Sequence, residues 1–359
     1  MVATSMAYMD SHPGVEITWE KRSLQAFADR PIGEMAAAYD LMVIDHPHVG
    51  EVADSGQLLA LDMPDRAAEM AELAAHSVGA SHPSYNFGGH QWALAIDAAT
   101  PVASFRADLL AAAPTRWDEV MDLAQAGRVA CPLIPINALM TFMGLARNMD
   151  VPLAEDPSAL IAPDFGGEVL GLMTELVAHI DARCLTLDPI GVAEWMGRSA
   201  DAPAYSPFGY GYTNYSRPGY CRFPLTYANA PGIGKNGPRG TVIGGTGIAV
   251  SAQCKAPDIA VDYAFWIAGA ECQAELYFSA GGQPGHAAAW DSDSCNAASD
   301  NFFRNTRATL DSAWLRPRYD GYMGFQDRGG DIIHAHLRGE ADATTTLNTL
   351  QAAYRESRI

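Results

Sequence analysis

After Asp40, Leu41-Met-Val-Ile44 is a short, unbroken apolar run that stops at Asp45-His46-Pro47-His48-Val49-Gly50. A run of this length, closed by turn residues, has the pattern of a strand buried on both faces of a parallel sheet. Upstream, Val15-Glu-Ile-Thr-Trp-Glu-Lys-Arg22 alternates apolar with polar residues and predicts a half-buried strand, followed by a helix over 24–38. Downstream, a helix at about 50–55 leads to Leu58-Leu-Ala-Leu-Asp62, and a second helix near 64–77 ends before Gly79. Trp92-Ala-Leu-Ala-Ile-Asp97 and Arg128-Val-Ala-Cys-Pro132 read as further strands. Helices are expected from a Thr115 cap to Ala126, then over 137–148, 167–182 and 189–198. Helices that alternate with short apolar strands give an α/β class with largely parallel sheets.

Residues 201–240 break this rhythm with Gly, Pro, Tyr and Asn, and Thr241-Val-Ile-Gly-Gly-Thr-Gly-Ile-Ala-Val250 restores a strand. A helix over 258–279, the loop at Gly281-Gly-Gln-Pro-Gly285, and helices near 300–313, 327–338 and up to 357 complete the chain. At 359 residues the chain exceeds the ~250–300 at which one core stops growing, so two cores are expected. With 48% hydrophobic and 18% charged residues it is too apolar for disorder. No apolar run approaches the ~18 residues of a membrane span, so a soluble chain is expected. A net charge of −19 repels phosphate backbones and anionic headgroups, which makes nucleic acid and membrane surfaces poor partners. The six cysteines are widely spaced and form no Cys-x-x-Cys; one or two disulfides or buried thiols both fit. Met1 to Asp10 has no basic region and no long apolar stretch, so it reads as a helix ending at His12-Pro13-Gly14 rather than a secretion signal.

Gly232-Ile-Gly-Lys-Asn-Gly237 matches a dinucleotide fingerprint, but prolines flank it where a strand and a helix are needed. It reads as a turn-rich loop, and no cofactor is expected. No nucleophile–base or acid–base pair stands out. Asp45, His46, His48 and Glu51 have three readings: structural, contacts to a polar ligand at the carboxyl end of a buried strand, or metal ligands. No metal is expected there. His334 and His336 fit a surface helix face. The tract holding Tyr205, Phe208, Tyr210, Tyr212, Asn214, Tyr215, Tyr220, Tyr227 and Asn229 offers flat apolar faces with hydroxyls and amides, the two features a sugar presents. The same aromatics would also serve to pack a long loop over the core.

In order and spacing, several blocks resemble the family 1 extracellular solute-binding proteins, the sugar-type receptors of ABC importers. The blocks are Tyr39–Asp45, Gly56–Asp62, Trp92–Asp97 with Phe105-Arg106 and Asp108-Leu-Leu110, and Pro114-Thr-Arg-Trp117-Asp-Glu119. They continue with Gly244–Ser251, Pro257–Phe265, Gln273 and Gly281-Gly-Gln-Pro284. The resemblance implies a periplasmic-binding-protein-like fold of type II, with an N-lobe of 1–102 plus 248–295 and a C-lobe of 103–247 plus 296–359. It also implies a cleft that closes by hinge bending, a small polar solute, an ABC permease as partner, a monomer, and a location outside the cytoplasm. A sensor partner or an enzyme on a similar scaffold are the alternatives.

The chain departs from that family where a first strand normally precedes the opening helix, which predicts an unpaired edge shared by the strands at 15–22 and 40–44. Asp45-His-Pro-His48 and Trp290 are further departures. The expected solute contacts are Asp45, His46 and His48, Asp97 at the end of its strand, Tyr212, Asn214 and Tyr215, and Gly244, Gly245 and Thr246. Glycines at 244 and 245 either admit the solute close to the backbone or form a bulge.

Overall fold

The computed structural model describes residues 1–21, 32–53, 55–234 and 237–358. Its strands are β1 (Leu41–Ile44), β2 (Asn86–Phe87), β3 (His90–Gln91), β4 (Leu94–Ala99), β5 (Pro101–Phe105), β6 (Tyr205–Tyr210), β7 (Thr226–Ala228) and β8 (Gly244–Val250). The chain divides into two units. Unit 1 comprises Met1–Ala98, Gly244–Cys295 and Arg318–Asp320; unit 2 comprises Ala99–Ile243, Asn296–Pro317 and Gly321–Ile359. No described helix is long and apolar enough to cross a membrane.

Unit 1 is built on a sheet with strand order β1-β8-β4. Side chains alternate across it, as the period of two requires. Leu41, Val43, Leu94, Ile96, Ile248 and Val250 pack on one face with Tyr8 and the helix Pro257–Ala268. Met42, Ile44, Ala95 and Ala249 pack on the other with residues of the helices Ile32–Ala38 and Val49–Ala53. Both faces of β1 are covered, which is why its sequence lacks the polar alternation of a half-exposed strand. The N-terminal segment is the expected helix, Val2–Ser11, held by a 2.9 Å hydrogen bond between the Thr4 and Tyr263 hydroxyls.

Unit 2 carries a sheet of order β6-β5-β7, with β5 buried along its whole length. The helix Pro189–Arg198 packs on β6 and Phe302–Asp311 on β7, while the helices Pro135–Asn148, Pro163–Val177, Tyr322–Leu337 and Ala343–Glu356 pack on one another. Arg106 is 1% exposed, and its charge is matched: Nε and Nη2 grip the Asp108 carboxylate at 2.7 and 2.6 Å, and Nη1 donates to the Met196 and Ser199 carbonyls. A buried guanidinium is tolerable only when its donors are used in this way.

Several expectations need correction. Residues 15–21 form no strand; Val15, Ile17 and Trp19 do alternate inward against the core of unit 1, but their backbone has no ladder partner among the described residues, and residue 22 lies outside them. Among the described residues the expected shared edge does not form, although β1 does lie at the edge of its sheet. The first part of the helix expected over 24–38 also lies outside the described residues, which resume at Ile32–Ala38. Residues 58–62 and 128–132 make only single bridges, Leu58 to Ser251 and Val129 to Tyr205.

Strand direction differs too. β1–β8, β5–β6 and β5–β7 all run antiparallel rather than mostly parallel. An apolar run reports that both faces are covered; it carries no information on the direction of the partner. The helix expected over 258–279 breaks at Gly269, and the fully buried Gln273 bridges the break by donating to the Ile267 carbonyl and accepting from the Gly285 amide. All six cysteines are free thiols, five of them buried.

Candidate functional site

The antiparallel register pairs Ile44 with Gly247, so the residues that follow β1 and those that open β8 share one edge of the unit 1 sheet. Tyr85 fastens that edge. Its hydroxyl donates to the Ile44 carbonyl at 3.2 Å and reaches the Gly245 carbonyl at 3.4 Å, while its ring lies where a Cβ at 247 would fall, at 2.7 Å. Gly245 has φ +108°, and a Cβ there would meet the Asp97 carbonyl oxygen at 2.2 Å. The glycine is thus required by the neighbouring strand. Gly244, Gly245 and Thr246 remain partly accessible at the start of β8.

Asp97 lies within β4 rather than at its end, and its backbone bridges Pro284. The residue keeps a little accessible surface, but the carboxyl is enclosed, and burial pushes it up to about 7. The Gln283 backbone and the Tyr277 hydroxyl, 3.4 Å from Oδ2, pull in the opposite direction without reversing the shift. Tyr277 is itself raised well above the usual tyrosine range by burial and then by Asp97. The strap Gln283–Pro284 is stitched to β4 through Ala98 N to Gln283 O at 3.1 Å and Gln283 Nε2 to Ala98 O at 3.0 Å. The loop Gly281-Gly-Gln-Pro284 signalled this strap in the sequence; nothing local marked Tyr277 as a neighbour of Asp97, or Tyr85 as a partner of Ile44 and Gly245.

Asp45 caps the short 3-10 turn His46–His48, its carboxylate accepting from the His46 amide at 2.8 Å and lying 3.1 Å from His46 Nδ1. It keeps about a quarter of its side chain accessible. His46 is buried edge-on against Tyr85, and His48 is buried with Nδ1 3.5 Å from Glu51. In unit 1, then, Asp45 and Gly244–Thr246 offer accessible polar groups, the Asp97 carboxyl is enclosed, and His46 and His48 are buried.

The aromatic tract of unit 2 divides in two. Tyr205, Phe208, Tyr215 and Tyr227 are buried packing residues; Phe208 stacks on Trp117, and Tyr227 meets Phe302 edge-on. Tyr215 donates its hydroxyl to Glu194 at 2.8 Å, and burial followed by that carboxylate raises its pKa far above the usual tyrosine range. Tyr212, which precedes the turn Thr213–Ser216, and Asn214 within it stay half-exposed. Trp290 is buried with its indole N–H on the Pro284 carbonyl, a structural bond. His334 and His336 are half-buried and bonded to Leu185 and Ala341 carbonyls. Gly232 bridges Arg116, and residues 235–236 of that glycine motif lie outside the described residues.

No curated protein matches the chain. Among solved structures, a solute-binding protein of an ABC transporter from Agrobacterium radiobacter K84, in complex with ribitol, is similar at TM-score 0.83 and 19% identity, covering 99% of this chain and 94% of that one. Maltose-bound MalE3 of T. maritima reaches TM-score 0.82 at 16% identity over 98% and 94%. A Thermotoga lettingae TMO solute-binding protein bound with alpha-D-tagatose reaches 0.82 at 14% over 100% and 95%. These likenesses establish a shared fold. The sequence model of the bacterial extracellular solute-binding proteins matches residues 5–302, and the chain belongs to that family.

Proposed function

We propose that this protein captures a small polyhydroxylated solute, a sugar or polyol, outside the cytoplasm and delivers it to the permease of an ABC importer. The observation that supports this most directly is the family match over residues 5–302 combined with the polar sheet edge of unit 1. There Asp45 supplies a carboxylate acceptor and Gly244–Thr246 a partly accessible backbone and a hydroxyl, with the enclosed Asp97 as a supporting residue next to Gly245. On unit 2, Tyr212 contributes a ring face and Asn214 an amide. Carboxylates make shorter, stronger hydrogen bonds to hydroxyls than neutral acceptors do, and tyrosine covers the C–H face of a sugar ring.

Tyr215 is assigned the supporting role of holding the turn through Glu194. His46 and His48, both buried, are proposed to support the polar edge from beneath. The proposed lobes follow the segments 1–102 with 248–295 and 103–247 with 296–359, and the protein acts as a monomer. Binding alone accounts for the activity, with no bond made or broken. A thermal-shift screen across sugars, polyols, acids and amines tests the reading. A saturable rise with a hydroxylated solute supports it, and a rise confined to amines or acids overturns the solute class.

A further inference from the structure

We infer that unit 1 carries a second, separate site that takes a divalent transition-metal cation of the Zn2+ type, built from Glu72, His76 and His286. Glu72 and His76 stand four residues apart at the end of the helix Ala67–Ala75, so they share one face of its last turn. His286 arrives from the far side of the sequence. Its backbone bridges Ser77, the Ala287 amide donates to the His76 carbonyl at 2.7 Å, and the Val78 amide donates to the Gly285 carbonyl at 3.3 Å. Glu72 Oε1 thereby lies 3.1 Å from His76 Nδ1 and 3.2 Å from His286 Nε2, and one ligand atom from each residue falls within 4.8 Å of the others.

Ligand bonds of roughly 2.0–2.1 Å at tetrahedral angles separate donor atoms by about 3.3 Å, close to the two shorter spacings here. Two imidazoles and one carboxylate suit zinc and its neighbours rather than magnesium or calcium, which take all-oxygen shells. The side chains of Glu72 and His76 are 44% and 55% exposed, which gives an entry path and leaves room for water as a fourth ligand, while His286 is 4% exposed and fixed. In the metal-free arrangement His286 Nδ1 accepts the Ala288 amide at 3.1 Å, so its proton sits on Nε2, facing Glu72. His76 Nδ1 lies 3.0 Å from the Glu72 carbonyl oxygen and 3.1 Å from its carboxylate, so it too carries a proton, and cation binding moves the two protons to His286 Nδ1 and His76 Nε2, releasing the Ala288 amide and the Glu72 carbonyl. Because Pro284, two residues before His286, bridges Asp97, an ion here ties the Ala67–Ala75 helix to the strap behind the proposed solute edge.

The test is calorimetric titration of the chelator-stripped full chain with ZnCl2, with MgCl2 as control. The expected result is one Zn2+ per chain and no Mg2+ heat. Glu72→Gln and His76→Ala, both at exposed positions, should each weaken Zn2+ about tenfold or more while leaving the circular dichroism spectrum unchanged. His286→Asn keeps an acceptor for the Ala288 amide but removes the imidazole, and should abolish binding. Absence of Zn2+ heat, or wild-type affinity in a Glu72→Gln/His76→Ala double variant, overturns the site. Neither outcome depends on whether a sugar or polyol binds.

Discussion

The Tyr277 hydroxyl donates to the Asp97 carboxyl at 3.4 Å inside unit 1, so an acidic group raised to about 7 by burial faces a phenol that burial keeps protonated. An acid whose folded pKa lies above its unfolded value holds its proton more tightly when folded. Stability from this group is therefore lost as pH rises from about 4 to about 7 and is flat beyond. From 3.8 to about 7 the ceiling is about 4 kcal/mol. Urea denaturation at pH 5, 6, 7 and 8 should show that decline in the wild type and a flatter profile in Asp97→Asn. Parallel profiles would contradict the enclosed carboxyl.

Tyr277→Phe removes a donor that favours the ionised carboxylate, so the midpoint of the same decline should move to higher pH. The difference between wild type and Tyr277→Phe in those denaturation curves measures it. An unmoved midpoint would mean that the hydroxyl does not act on Asp97.

Gly245→Ala combines a positive φ with a Cβ 2.2 Å from the Asp97 carbonyl oxygen. A loss of at least about 2 kcal/mol is expected, because the contact is with backbone and neither strand can step aside. Chemical denaturation checks this; a loss below about 0.5 kcal/mol would show that the strands separate readily.

The split of the aromatic tract gives opposite expectations for two neighbouring tyrosines. Tyr215→Phe loses the bond to Glu194 that holds the turn and should cost about 1 kcal/mol of stability, with a smaller loss of solute affinity than Tyr212→Ala. Tyr212→Ala should leave stability near wild type and weaken solute binding by about 1–3 kcal/mol. Calorimetry with denaturation on the same preparations separates the two.

The central elements of the fold were legible because their signals are local. Asp40–Ile44 marked β1, the prolines at 135, 163, 189 and 257 open helices, and the glycine-broken run 241–250 marked β8. Strand direction was not legible, since coverage of both faces looks the same for parallel and antiparallel partners. Val15–Trp19 shows the limit of periodicity: the alternation predicted burial correctly but not a ladder. At the candidate site, the turn after β1 and the glycine pair could be found by their position in the chain. The reason for Gly245 could not, because the Asp97 carbonyl that excludes a side chain lies almost 150 residues away. The Glu72–His76 spacing was equally readable, but only the fold brings His286 to it.

Solute capture is tested most directly by thermal unfolding of the full chain against ribitol, maltose and tagatose, with amino acids, dicarboxylates and polyamines as controls. A solute at a hundredfold excess over its Kd stabilises by about 2.7 kcal/mol, a shift of several degrees at this size. A saturable rise with a polyhydroxylated solute is expected, and it should shrink in Asp45→Asn and in Tyr212→Ala. A rise of full size in both variants, or a rise only with a solute lacking hydroxyls, would contradict it.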